Sequence, residues 1–590
     1  MRRLLLFFIC LSCFGAARVA SVTGNWSSTA TWGGSSVPGN GDTVTINSGI
    51  TLTVDANETI GTSPADCTGT QAIQNNSGIL TIAAGVQLTL RGCVTLVGSG
   101  KLNEGANSIL EFDSSAASSP STTHYQVSIG TTCCSETTLF TATGTDFNNM
   151  AVIRSNTGGG NGYLRDAGGQ PGGMVNFNYV SLSRIGDSSN NAVTFWPFNS
   201  TDVFTWNHVL CDNCGTLLHH VLGDVGATVS ITNSTWTNSL STSIQLLGSA
   251  SIGAGTHVFS GNVVDGVLNV GLTEGWEYSN SYLAGGWSIS GGPWAKFDDM
   301  LINVIADNVM YGDVTNTFMF GKVAKANPHY LIHTNTYDVL VDNVIWQELG
   351  SATDGDTIQV TGTTPNLVTV QNSIKLPNGS GTSSGTAFTC GCSTSSQIAI
   401  NKNTYFLGGA RESSGIRYGE TITPGPGMFT SIKSNVFWDT SAQGWKFLCI
   451  SPPCNGGADS NVVAGANADY NAGSSTEYLA GLAGKGYDST FTVAPGAHDL
   501  DLDPGFADSS RGLLAYDLHC GGAGTETSVL AGFQARNSAS WNACYDIAKL
   551  INWVRQGFAP QRVEYATGGS DGARIGAVQP VAIMGAAVAQ

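Results

Sequence analysis

The chain has 590 residues, 76 of them Gly, and a formal charge of −18 from 24 Lys plus Arg against 42 Asp plus Glu. Charged residues supply only 11% of it, less than half the usual ~25%, which excludes a coiled coil or helical repeat and argues against a nucleic-acid partner. With 41% hydrophobic residues and 13 Trp the chain is not intrinsically disordered, and no apolar run beyond the N-terminus is long enough for a membrane span.

Residues 1–17, MRRLLLFFICLSCFGAA, read as a cleaved secretory signal peptide. Arg2 and Arg3 form the charged end, Leu4 to Phe14 the apolar core, and Gly15, Ala16 and Ala17 the small residues of a cleavage site. The expected location is therefore extracellular. Cys10 and Cys13 leave with the leader, so 14 Cys become an even twelve. The neighbours Cys133-Cys134, Cys211 and Cys214, Cys390 and Cys392, Cys449 and Cys454, with the wider pairs Cys67 and Cys93, Cys520 and Cys544, predict local disulfides. Zinc on Cys211 and Cys214 beside His208, His219 and His220 is the alternative, weakened by the lack of a second such Cys pair.

Residues 18–115 open with a turn cluster at Pro38 to Asp42, and Val44, Ile46, Leu52 and Val54 then alternate with polar residues. Short strands follow at 79–82, 86–90, 94–97 and 109–112. Residues 116–174, rich in Ser, Thr and Gly, read as an insertion or loop. From 175 to 497 a unit recurs about every 26–35 residues, with one shorter gap of 18 between Asn262 and Asn280: apolar, polar, Asn, then an apolar pair. Its Asn residues are Asn178, Asn207, Asn233, Asn262, Asn280, Asn308, Asn343, Asn372, Asn403 and Asn435. One such unit cannot bury its own apolar face, so units must stack. Asn suits the left-handed backbone of a sharp turn, and stacked Asn side chains can bond one another. Residues 498–590 form a C-terminal cap, with a helix at about 540–556 begun by Ser540, ended by Gly557 and striped with apolar Tyr545, Ile547, Leu550, Ile551 and Val554 at helical spacing. That helix is expected to cover the open end of the last coil, because solenoids need caps.

These Asn-centred units resemble the right-handed parallel β-helix of the pectate-lyase-like superfamily. The opening NWSSTATWGGSSVPGNGDTVTI resembles the extracellular domain named for its eight glycines. The resemblance implies an all-β, right-handed parallel β-helix whose activity is set by local sites rather than by the fold.

Aligned on Asn, the repeat predicts that Asp307 and Asp342 stack about 5 Å apart on adjacent coils, a separation that suits a retaining glycosidase pair. Asp298 and Asp299 resemble the paired aspartates of polygalacturonases, although the Asn-Thr-Asp, Gly-His-Gly and Arg-x-Lys of that family do not accompany them. His329 and His333 would share one face of a strand and supply acid–base groups. Trp276, Tyr278, Tyr282, Trp287 and Trp294 could floor a sugar-binding groove, or pack in the core. Asp499, Asp501 and Asp503 alternate as calcium ligands would; no cofactor is otherwise required. Residues 185–295 contain no Lys or Arg, which favours a neutral or weakly charged glycan over an anionic one. The functional expectation is a secreted β-helix that acts on or binds a polysaccharide or cell-surface glycan. It would be a glycoside hydrolase ahead of a lyase, or else a non-catalytic adhesin.

Overall fold

The computed structural model of the chain describes residues 15–61, 71–113, 125–129, 137–156, 162–165, 173–186, 193–195, 202–220, 228–239, 244–247, 257–271, 276–285, 287–290, 295–304, 312–321, 338–349, 358–362, 367–376, 386–392, 397–407, 414–418, 429–439, 446–449, 468–469, 471–473, 498 and 500–579. The fold is an all-β parallel solenoid with a C-terminal helical segment, in two compact units, Met1–Val258 and Phe259–Gln590.

Each coil of the first unit contributes three strands, as in Val94–Val97, Lys101–Glu104 and Ile109–Phe112. Every strand pairs in parallel with its equivalents in the coils before and after: Leu102 with Leu80 and Phe140, Leu110 with Leu88 and Ile153. Alternation along a strand sends every second side chain inward. Leu52, Leu80, Leu102, Phe140, Val175, Phe204 and Val229 therefore form one buried column. Beside it, the rings of Phe177, Trp206 and Trp236 stack 6.0 Å apart at each step. Outward positions of the third strands are polar, as at Gln87, Glu111 and Arg154, the last two joined by an ion pair of 2.8 Å. The described parts of 116–174 belong to the coils rather than to an insertion. Their described strands Tyr125–Ile129, Thr138–Thr143, Ala151–Ser155 and Gly162–Arg165 pair on both sides as further coils. The Ser, Thr and Gly of this stretch hid strands as regular as their neighbours.

Glu104 is a charge-bearing group at an inward position. It is 3% exposed, stacked between Ile82 and Ala142. It accepts from the Leu110 N–H at 3.2 Å, while its Oε2 has no partner among the described residues. Burial holds its pKa well above the usual carboxylate range. A raised folded-state pKa contributes stability that is present at acid pH and is lost as pH rises through it. Glu104→Gln is therefore expected to unfold later than the parent chain at pH 7, the difference shrinking as pH falls to 4. Paired urea titrations at the two pH values check this, and a constant difference would remove the assignment.

In the second unit the second and third strands of a coil meet at a two-residue turn. The pairs Ala295–Asp298 with Leu301–Val304, Gly312–Thr315 with Phe318–Gly321, and Val339–Asp342 with Ile345–Glu348 are examples. The first turn residue takes positive φ at Asn280, Asp299, Asn316, Asn343, Asn372, Lys402 and Ser434. The next residue points into the core: Ser281, Met300, Thr317, Val344, Ser373, Asn403 and Asn435 are all within 1% of full burial. At the C-terminal coils this inner row is an amide ladder, Asn403 to Asn435 to Asn471, with side-chain bonds of 3.1 and 3.0 Å.

The third strands of this unit are apolar on both faces. Ile302, Met319 and Trp346 face inward, while Tyr282, Leu301, Phe318, Phe320, Ile345, Ile374 and Phe406 face outward and are nonetheless buried. The cover is the chain's own tail, with helices α1 (Leu513–His519), α2 (Glu526–Gln534) and α3 (Ile547–Gly557). Ile547, Leu550, Ile551 and Val554 of α3 form the predicted stripe and pack on that outer face. The expected helical cap is thus present, and its helices lie along the flank of the coils, where unsatisfied apolar surface is, rather than over the open end of the last coil. The helix also starts later than predicted. Asp546 is its N-cap, accepting from the Lys549 N–H at 3.0 Å, whereas Ser540 bonds only to Ser538. Cys520 and Cys544 join the end of α1 to the approach of α3 as predicted.

Candidate functional site

The turn row decides how the sequence-predicted residues fall. Immediately before the positive-φ position stand Ser279, Asp298, Thr315, Asp342, Gln371, Asn401 and Lys433, paired in that order from coil to coil. The residue stacked on Asp342 is therefore Thr315, not an acid, and Asp307 lies outside the described residues. Asp298 shares the Asp342 column two coils away, roughly 10 Å along the stack. The space between is filled. Asp298 accepts from the Thr315 hydroxyl at 2.6 Å and the Asn316 amide at 2.9 Å. Asp342 accepts from the Gln371 and Asn372 amides at 3.0 and 2.8 Å. Both carboxylates are thus ladder rungs.

The tail reaches this row as well. Arg536 donates to the Asn280 carbonyl at 3.0 Å, Arg555 to that of Asn372 at 2.8 Å, and Arg574 to the Asn372 side-chain oxygen at 2.6 Å. Burial, then the Arg574 charge, pushes Arg555 down to about 10, against the pull of Asp342. Asp299 behaves differently. It occupies the turn position itself, and burial, then the charges of Asp298 and Asp546, raise its pKa.

The predicted aromatic floor is dispersed. Tyr278 is 0% exposed inside the coil, stacked on Phe297 at 4.9 Å. Tyr282 is buried on the outer face under Phe533, 5.4 Å away, and that burial raises its pKa. Alternation explains both, since they lie four apart but in different strands separated by the turn. Trp276 and Trp287 each open a strand, Trp276–Ser279 and Trp287–Ser290. Trp294, His329, His333 and Asp499 lie outside the described residues. Asp501 ends the strand Leu500–Asp501, and Asp503 accepts from the Gly505 N–H at 2.7 Å as a turn residue. Among the described residues no group of three metal-ligating side chains comes together. Cys211 and Cys214 form a disulfide and are not free for zinc.

The half-buried aromatic group that does form lies in the first unit. Tyr179 and His208 occupy successive turn positions with φ of 52° and 55°, where most later coils carry Asn. Their rings stack at 4.3 Å and 7°, and Phe147 from the preceding coil meets both edge-on at 5.2 and 5.4 Å. Asp146 holds the Phe147 loop, accepting from the Asn148 N–H at 2.8 Å and from the Asn149 amide. Alongside runs an amide ladder: Asn207 donates to Asn178 at 2.9 Å, and Asn233 to Asn207 at 3.0 Å. Burial lowers the His208 pKa, and its Nδ1 has no hydrogen-bond partner among the described residues. The arrangement places a three-ring surface beside amides at coil spacing. The sequence carried its signal, since FNYV and WNHV place the ring directly after Asn in two consecutive units. No protein-family model, curated protein or solved structure matches the chain.

Proposed function

We propose that the protein is an extracellular β-helix that binds a neutral or weakly charged polysaccharide, or a cell-surface glycan, through the outside of its coils. The observation that carries this reading is the Phe147–Tyr179–His208 stack beside the Asn178–Asn207–Asn233 ladder. Sugar rings offer apolar faces to aromatic side chains and hydroxyls to amides, and a rigid solenoid holds both kinds of group at a fixed repeat. Disulfides at Cys211–Cys214 and Cys520–Cys544 accord with an oxidising location. Among the described residues no helix is long and apolar enough to cross a membrane.

The test is a polysaccharide panel with the variant Tyr179→Asn combined with His208→Asn. Asn accepts positive φ, so the turns survive while the rings go. Affinity for the bound glycan is expected to fall at least about tenfold, equivalent to about 1.4 kcal/mol. Unchanged binding in a folded double variant would discard the site.

Hydrolysis is the second reading, favoured by the raised Asp299 beside Asp298, because an acid kept protonated can serve a leaving group. Release of reducing ends from the same panel, abolished by Asp299→Asn, would move the function to a glycoside hydrolase.

A further inference from the structure

Small residues at positions −1 and −3 mark two cleavage points in the leader. A cut after Gly15 has Cys13 at −3, and a cut after Ala17 has Gly15 at −3. A cut after Ala16 would put Phe14 there, and one after Ala20 would put Arg18 there. The fold distinguishes the two that remain. Ala17–Ala20 is the first strand of the stack, with Ala17 paired to Thr43 and Ala20 to Ile46. The chain is already engaged one residue earlier. The Ala16 carbonyl accepts from the Thr43 N–H at 3.0 Å, and the Ala16 N–H donates to Asp42 Oδ1 at 2.7 Å. Cutting after Ala17 would discard both bonds. Cutting after Gly15 keeps both.

Asp42 is arranged to receive positive charge. Its other oxygen accepts from the Gly39 N–H at 3.0 Å and from Arg18 at 3.4 Å, and its side chain is only 15% exposed. Gly15 itself lies so close to the Gly41 carbonyl that a side chain could not fit. Gly15 is thus both small enough for a peptidase at −1 and required by its close approach to Gly41.

We infer that the leader is removed between Gly15 and Ala16, and that the α-ammonium freed at Ala16 is held by the Asp42 carboxylate. Water adds across the Gly15–Ala16 peptide bond under a leader peptidase. Gly15 keeps the new carboxylate, and the Ala16 amine takes up a proton. The neutral N–H donor to Asp42 then becomes a charged one, and such bonds are stronger. This inference rests on reading the N-terminal segment as an export leader, and it moves the end of that leader from Ala17 to Gly15.

N-terminal sequencing and intact mass of the exported protein test it. The expected start is Ala16-Ala17-Arg18-Val19. A start at Arg18 or Cys13 overturns the inferred site, whereas a start at Met1 overturns the leader reading instead. A second measurement tests the ion pair. Selective acetylation of the α-amine is expected to lower the melting temperature of the mature protein by about 1–2 °C, and to lower that of Asp42→Asn by nothing further. Equal losses in both would overturn the pairing.

Discussion

Ending the chain at Asp501 is expected to leave the second unit insoluble. The tail from Leu502 onwards buries nine large outward-facing residues of the coils: Val263, Tyr282, Leu301, Phe318, Phe320, Ile345, Ile374, Leu376 and Phe406. At ~1.5–3 kcal/mol for each fully covered side chain, their exposure forfeits on the order of 15 kcal/mol. It also creates a continuous apolar face of the kind that drives aggregation. Leu550→Asp in the full chain should do part of the same damage, because it sets an unpaired charge among Leu513, Val554 and the strand residues. Soluble yield and light scattering measure both. A truncated protein that stays soluble and monomeric would mean the tail is not the cover described.

The second large effect is expected at Asn435, which is fully buried. Its side-chain oxygen accepts from the Asn403 N–H at 3.0 Å and the Asn403 amide at 3.1 Å. Its own amide donates to Ile400 O at 2.9 Å and to Asn471 Oδ1 at 3.0 Å. Asn435→Leu is nearly isosteric but leaves donors and acceptors on the two flanking coils without this partner. Each buried orphan costs ~1–3 kcal/mol, so a loss of about 4 kcal/mol or more is expected. Asn435→Ser should cost less, since Ser373 fills the same row, donating to Gln371 O at 2.8 Å and accepting from the Val344 N–H at 3.1 Å. Hydrogen exchange across 429–439 reads the difference. Equal protection in Asn435→Leu and the parent would show that the ladder contributes nothing.

The stacking was legible because only stacking explains a charge-poor chain with Asn returning at intervals. The register was not, and the reason lies in what Asn can do. Asn178 and Asn207 stand just before the positive-φ residue, Asn233, Asn280, Asn343 and Asn372 occupy it, and Asn262, Asn403 and Asn435 follow it. All three rows reward Asn, the outer two for side-chain bonding and the middle one for its backbone. Aligning on Asn therefore slips by one residue in either direction. The short coils at Asp299 and Asn316 escaped because the turn residue of one is Asp.

The helical stripe of α3 was equally plain, but its destination was not. The runs Phe318-Met319-Phe320 and Ile345-Trp346 are apolar at consecutive positions, so both faces of those strands need cover. That loss of alternation was the available signal for a lateral partner. The aromatic stack was less plain, because Tyr179 and His208 take the turn position that Asn fills in most later coils, and only the coil register brings Phe147 against them.

Most solenoids can gain or lose a coil with little penalty, because each coil meets only its neighbours. The second unit does not have that freedom. Its tail grips Gly261 through Asn537, Asn280 through Arg536, Gln347 through the Leu513 N–H, Thr404 through the Ala577 N–H and Ser434 through the Ser570 N–H. Helices advance ~1.5 Å per residue and coils ~4.8 Å per turn, so these grips fix a count as well as a position. Duplicating or deleting one coil would shift every later attachment by a full step. The tail works as a gauge of length, and the number of coils beneath it is held constant while their loops remain free to diverge.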